Sequence, residues 1–271
     1  MKLRLAGVGM FGLALAAFMV VNSVRQVSSQ TPKISLSKLE TELFDEVNKA
    51  RANPQLYADY LEKLKPLFKG KDYTPKGAPN AFETQEGWAA VEDAIKFLRA
   101  AKPLPPFSTS TGLCLAAKSH VTEQSASGST GHRGADRTMI EDRVKPYGSY
   151  EGGIGENLSY GDQSARERVL TWLIDDGFAT RGHRNRLMSD SYKSAGVCCG
   201  PHKEYGAMCV LTLAGNFTDS STEPKSAAPA KVTSTTQKVA SNQAQSNTNA
   251  KPANSNASNS NKSNTAKPRK Y

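Results

Sequence analysis

Two histidines and three acids stand where side chains can do chemistry. His132 lies in the glycine-flanked stretch "GSTGHRGAD" and His183 in "GHRNRL". Glu156 sits in "GGIGENLSYG" between apolar Ile154 and Leu158, where a buried carboxylate is costly without a partner. Asp175 and Asp176 close "TWLIDD", one short loop before His183. Imidazoles and carboxylates at loop and helix-end positions are the materials of a metal site or an acid–base site. The alternative is a buried hydrogen-bonded network that only ties two loops together. The other two histidines read differently: His120 falls inside a helical pattern, at its surface or core edge, and His202 in a solvated turn. Arg181, Arg184 and Arg186 read as a solvated face or as anion-binding groups.

Helices must position these residues first. Ser37 and Glu40 form a capping box, and Leu39, Leu43 and Val47 repeat on one helix face. Pro54 starts a second helix through "PQLYADYLEKLKPLF", and Trp88, Val91, Ile95 and Leu98 mark a third. "TGLCLAAKSHVTEQSA" reads as a fourth and "SARERVLTWLID" as a fifth, with a second capping box at Ser164 and Glu167. "SAGVCCG" and "AMCVLTLAGNF" are β-branched and apolar, which predicts an antiparallel pair turning through "PHKEYG". Helices before and between a small late sheet imply an α+β domain.

The ends of the 271-residue chain are of another character. Lys2 and Arg4 precede an uncharged, mostly apolar run from Leu5 to Val21, the layout of a secretory signal peptide over residues 1–29 with cleavage after Ser29. An uncleaved anchor is the alternative, although the run is short for a bilayer span. Residues 219–271 lack Phe, Trp, Leu and Ile and have nothing to bury, so they read as a disordered tail. That tail holds eight basic against two acidic residues, a net six of the formal +10. It would meet anionic surfaces, wall polymers or lipid head groups, rather than nucleic acid, or would serve as a plain spacer. One domain, residues 32–218, remains between them.

Four cysteines in an exported chain predict disulfides. Cys199 and Cys209 flank the turn symmetrically and pair across it. Cys198 then points to the other sheet face, where it meets Cys114 if the fourth helix packs there. This is one of three connectivities. Zinc held by the thiolates is disfavoured, because adjacent Cys198 and Cys199 point apart.

"HRG", "IGENLSYG", "TWLIDD", "GHRNRLM", "AGVCCG" and "MCVLTLAGNF", in that order, resemble the CAP superfamily of SCP-like extracellular proteins, over about Leu36 to Phe217. The resemblance implies a three-layer α-β-α sandwich and a cleft holding a His, Glu, Glu, His tetrad. His132, Glu156 and His183 match three of its positions. Asp175, three residues after Trp172, takes the place of the second glutamate, and being a methylene shorter it is expected to reach the cleft through a water. The resemblance implies a secreted, extracellular or periplasmic binding protein. Its cleft would hold zinc or another divalent cation through His132 and His183, and its surface would take a lipid, a cell-wall polymer or a peptide. A metal-assisted hydrolase with Glu156 as base and a structural cell-surface protein are the alternatives.

Overall fold

The computed structural model describes residues 37–220. The N-terminal apolar segment and the basic tail lie outside the described residues. Among the described residues no helix is long and apolar enough to cross a membrane.

The first capping box closes as its spacing predicts. Ser37 Oγ accepts from the Glu40 backbone, and the Glu40 side chain accepts from Ser37 N at 2.6 Å, which starts α1 (Lys38–Ala52). Pro54 opens α2 (Pro54–Glu62). Three two-residue strands follow, β1 (Phe68–Lys69), β2 (Asp72–Tyr73) and β3 (Phe82–Glu83), paired antiparallel as a small sheet that the apolar periodicity does not announce. Gly87, at φ 66°, starts α3 (Trp88–Ala100) where a Cβ would stand 2.7 Å from Gly70 O, so only glycine lets the β1–β2 turn lie against this helix.

The central sheet has the order β4-β6-β7-β5, with β4 (Ser108–Thr109), β5 (Gly148–Tyr160), β6 (Ser194–His202) and β7 (Gly206–Asp219). β7 pairs antiparallel with both neighbours, and β4 adds a short parallel edge to β6. Alternation along β7 sends Cys209, Leu211 and Leu213 to one face and Met208 and Val210 to the other. The first face packs against α1, α2, α3 and α6 (Ala165–Ile174), the second against α4 (Thr111–Ser127). The strand is buried on both faces, which is why it reads as an almost unbroken apolar run. The domain is therefore α+β, a sheet between two helical layers. The short α5 (Ile140–Val144) and α7 (Gly182–Leu187) complete it.

Two long-range contacts tie the ends of elements together. Glu40 Oε1 accepts from Cys199 N at 2.8 Å, satisfying an edge N–H of β6 that β4 is too short to reach. Asp219 accepts from Ser110 Oγ, Thr111 N and Gly112 N, so the last strand residue caps α4 and belongs to the folded body, one residue beyond the boundary expected at 218.

Cys199 and Cys209 lie opposite each other in the register and form a disulfide. The second expected bridge is absent: Cys114 and Cys198 are free, buried thiols. Helix register explains this. A Cβ on Gly196 would stand 2.2 Å from Cys114 N, so the start of α4 rests on the strand at Gly196, while Cys198 packs with Ala117 and Val121 further along the helix. Burial pushes the Cys114 thiol up to about 11 and that of Cys198 to about 12, so neither forms the reactive thiolate near neutral pH. Peptide mapping without reductant should join Cys199 to Cys209 and leave Cys114 and Cys198 resistant to alkylation until the protein is unfolded. A Cys114–Cys198 peptide would overturn this arrangement.

Candidate functional site

Glu156 sits on β5, an edge strand that the glycine-rich sequence does not advertise. It faces Thr212 in the register and is 2% exposed. A buried carboxylate needs donors and a counter-charge, and it has both. Arg143, from α5, bonds both its oxygens through Nη2 at 2.8 and 3.0 Å, and His132 Nδ1 donates to Oε1 at 2.9 Å. Burial alone would raise the Glu156 pKa. The His132 bond and the Arg143 charge outweigh it and hold the acid below the ordinary carboxylate value. Glu156 is thus ionised and committed to its partners, which makes it a weak proton acceptor.

Asp175 performs the corresponding task on the other side. α6 ends with Asp175 in the left-handed conformation, φ 53°, which aspartate tolerates better than most residues. Its carboxylate accepts from His183 Nδ1 at 2.6 Å and from the backbone N–H of His183 at 2.7 Å. Asp175 thus touches His183 directly, from behind the ring: from a left-handed helix end one fewer methylene suffices for that contact.

The four residues therefore form two pairs, each an imidazole backed by a buried acid. A carboxylate accepts only, so Nδ1 of each ring must carry the proton, and in the neutral form Nε2 has the free lone pair. The rings are 6.4 Å apart between centroids and inclined by 29°. His132 is partly exposed, whereas His183 is 5% exposed and its Nε2 is buried with no hydrogen-bond partner. Phe178 stands edge-on to His183 at 5.3 Å.

Neighbouring groups fix the loops. His120 is fully buried, against the expectation of a helix-surface or core-edge place. Its Nε2 and the Gln124 amide both meet Gly131 O, at 2.9 and 2.6 Å. Burial, helped by the Arg143 charge, outweighs the pull of Glu156 3.9 Å away, lowers its pKa and keeps it neutral. His202 is not a solvated turn residue either; it ends β6, buried, with Nε2 2.9 Å from Ser129 O. Both histidines thus steady the loop that carries His132. Asn157, whose side chain points the opposite way from Glu156, donates to His183 O at 3.1 Å. Asp176 receives the backbone N–H groups of Gln85 and Glu86.

Arg181 and Arg184, on either side of His183, are internal ties and not a solvated face. Arg184, 2% exposed, bonds Leu173 O, Ile174 O and Asp93. Arg181 grips both oxygens of Glu86 at 2.6 and 2.7 Å and reaches Asp175 O at 2.8 Å. From the far side Arg51 bonds Leu187 O and Ser189 O, both at 2.8 Å, holding the end of α7.

Arg143 escaped the sequence reading. The signal was available in the cost of burying Glu156, which demanded a cation, and "EDRVKP" stands shortly before it. What spacing does not supply is which of several nearby cations turns inward.

A family model described as CAP, the cysteine-rich secretory protein family, matches residues 44–213. No curated protein compared with the chain matches it. Two solved structures are similar at low identity. One is an extracellular protein containing an SCP domain from Bacillus anthracis, 16% identical, with a TM-score of 0.35, covering 46% of this chain and 38% of its own. The other is an outer surface protein from Borrelia burgdorferi, 17% identical, with a TM-score of 0.36, covering 46% of this chain and 88% of its own. The chain thus spans well under half the length of the first of these.

Removing Arg143 should leave Glu156 buried without its counter-charge. Arg143→Met is expected to cost about 3–5 kcal/mol in denaturant unfolding, and adding Glu156→Gln should recover part of that loss. Equal stability of wild type and Arg143→Met would show that the pair is dispensable. A second test uses pH. The Arg181 hydrogen bonds lower the Glu86 pKa from 4.5 to about 2. A depressed folded-state pKa contributes stability that is complete above 4.5 and is lost as pH falls toward 2. The melting-temperature gap between wild type and Glu86→Gln should be widest near neutral pH and close across that interval; a constant gap would contradict the assignment.

Proposed function

The chain belongs to the CAP family of cysteine-rich secretory proteins, and from that premise we propose that it is an exported binding protein whose cleft takes a divalent cation of the zinc type through Nε2 of His132 and His183. The observation that carries this reading is the pair of imidazoles, each with Nδ1 bonded to a buried carboxylate. That arrangement fixes the tautomer and strengthens the opposite nitrogen as a ligand, as acid–histidine pairs behind metals do. The unpartnered, buried Nε2 of His183 supports it further, since an acceptor shut away from water lacks a stabilising contact until a ligand supplies one.

The donor set limits the affinity. Among the described residues no three His, Cys, Asp or Glu side chains converge as ligands, and Glu156 and Asp175 are spent behind the rings. A bound ion would have two protein nitrogens and take the rest of its shell from water or from a ligand. Such an open ion would polarise an oxygen of whatever binds in the cleft. Nitrogen donors favour zinc and related ions over calcium or magnesium. Export is supported by the N-terminal basic-then-apolar layout and by the Cys199–Cys209 bridge. A lipid, a cell-wall polymer or a peptide is the ligand class that this reading assigns to the surface around the cleft, and anionic surfaces are the partner of the basic tail.

The hydrolase alternative asks Glu156 to act as a base. With Arg143 on both oxygens and its pKa held down, it is poorly suited to take a proton.

Calorimetric titration of the chelator-stripped protein with zinc chloride should show one site. His183→Ala and His132→Ala should abolish it while far-UV circular dichroism stays unchanged, and Asp175→Asn should weaken it roughly 10- to 100-fold. Absence of heat with the wild type, or unchanged binding in both alanine variants, would refute the metal reading.

A further inference from the structure

A cavity of about 480 Å³ lies apart from the histidine pairs, within the size range of small-molecule sites. Its floor is apolar, from Val91 of α3 and from Leu170 and Ile174 of α6. The small sheet β1–β3 covers it with three aromatic rings, Phe68, Tyr73 and Phe82, of which Phe68 and Tyr73 are stacked at 4.8 Å. Phe178 lies at its border with the histidine cleft. Among the described residues Phe178 is the one large apolar side chain left exposed, at 41%.

Charge selects the occupant. Not one of the lining residues is Lys, Arg or His, whereas Glu83, Glu167 and Asp176 all are acidic. Asp176 and Glu167 accept backbone N–H groups, from Gln85 and Glu86 and from Ser164 respectively. Glu83 is exposed on β3. An acid-rimmed, aromatic-walled, cation-free cavity repels carboxylate and phosphate head groups and attracts a cation that can also rest on ring faces. We propose that this cavity is a binding site, separate from the histidine cleft, for an apolar molecule bearing an ammonium group.

The acid side chains supply the attraction, the rings supply both apolar contact and cation–π contact, and Phe178 is the ring that the bound molecule covers. The probe is dodecyltrimethylammonium, kept below its micelle concentration and titrated calorimetrically into the full chain, with dodecanoate as the anionic molecule of the same chain length. The ammonium compound should bind saturably at one site and at least about tenfold more tightly than dodecanoate, the scale expected of a few cation–π and ion-pair contacts at a partly wet site. Glu83→Lys, at an exposed position, should remove that preference. Leu64→Trp, which fills the cavity from the segment after α2, should abolish binding in a protein whose melting curve stays cooperative. His183→Ala should leave it unchanged, so that loss of the metal site and loss of this one are told apart. Equal or tighter binding of dodecanoate, undiminished binding in Leu64→Trp, or no binding of either probe would overturn the proposal.

Discussion

The ionised Glu156 on a buried strand face is the constraint from which the site follows. A carboxylate taken out of water must recover its solvation from donors, and the Arg143 guanidinium and His132 imidazole are those donors. Arg143 in turn spends its other terminal nitrogen on His132 O and Thr138 O. One buried charge therefore organises α5, the loop after α4 and the first histidine. The His120–Gln124–Tyr160 network extends the same logic, with Tyr160 OH accepting from Gly131 N and donating to Gln124 Oε1. Such polar networks hold loops in one arrangement because any opening exposes several unpaired groups together.

Asp175 reaches the same result by backbone geometry. A helix ending in the left-handed region turns the chain back at once, and the carboxylate at that point meets the first N–H groups of α7 and the His183 ring. The loop between them is held from outside by Arg181 on Glu86 and from below by Arg184 on the carbonyls of α6. Rigid second contacts of this kind leave the two Nε2 atoms as the unspent functionality of the site. The cavity beyond Phe178 shares α6 with the histidine site but is otherwise built from the small sheet and α3, and its lining is apolar and acidic with no imidazole.

Much of this was legible in the residues. Both capping boxes, the apolar stripes of α1 and α3, the Pro54 start and the β6–β7 hairpin follow from local rules of spacing and backbone preference. The candidate residues His132, Glu156, Asp175 and His183 stood out because glycine-flanked acids and imidazoles are poorly explained as solvated loop. β5 was not legible, since its glycines and its bulge between Glu151 and Ile154 erase the alternation that marks a strand. Nor were β1–β3, which are two residues long each.

By itself the sequence determined what depends on neighbours within a few positions: helix starts, the hairpin register that sets Cys199 against Cys209, and the supply of histidine and acid. Only the tertiary structure decided what depends on which faces meet. The packing of α4 on Gly196 keeps Cys114 and Cys198 apart in partners, and it buries His120. The fold turns Arg143 inward and makes Arg181 and Arg184 internal ties. The physical reason is that burial and counter-charge are properties of an environment assembled from distant segments, while propensity and capping are properties of the chain nearby.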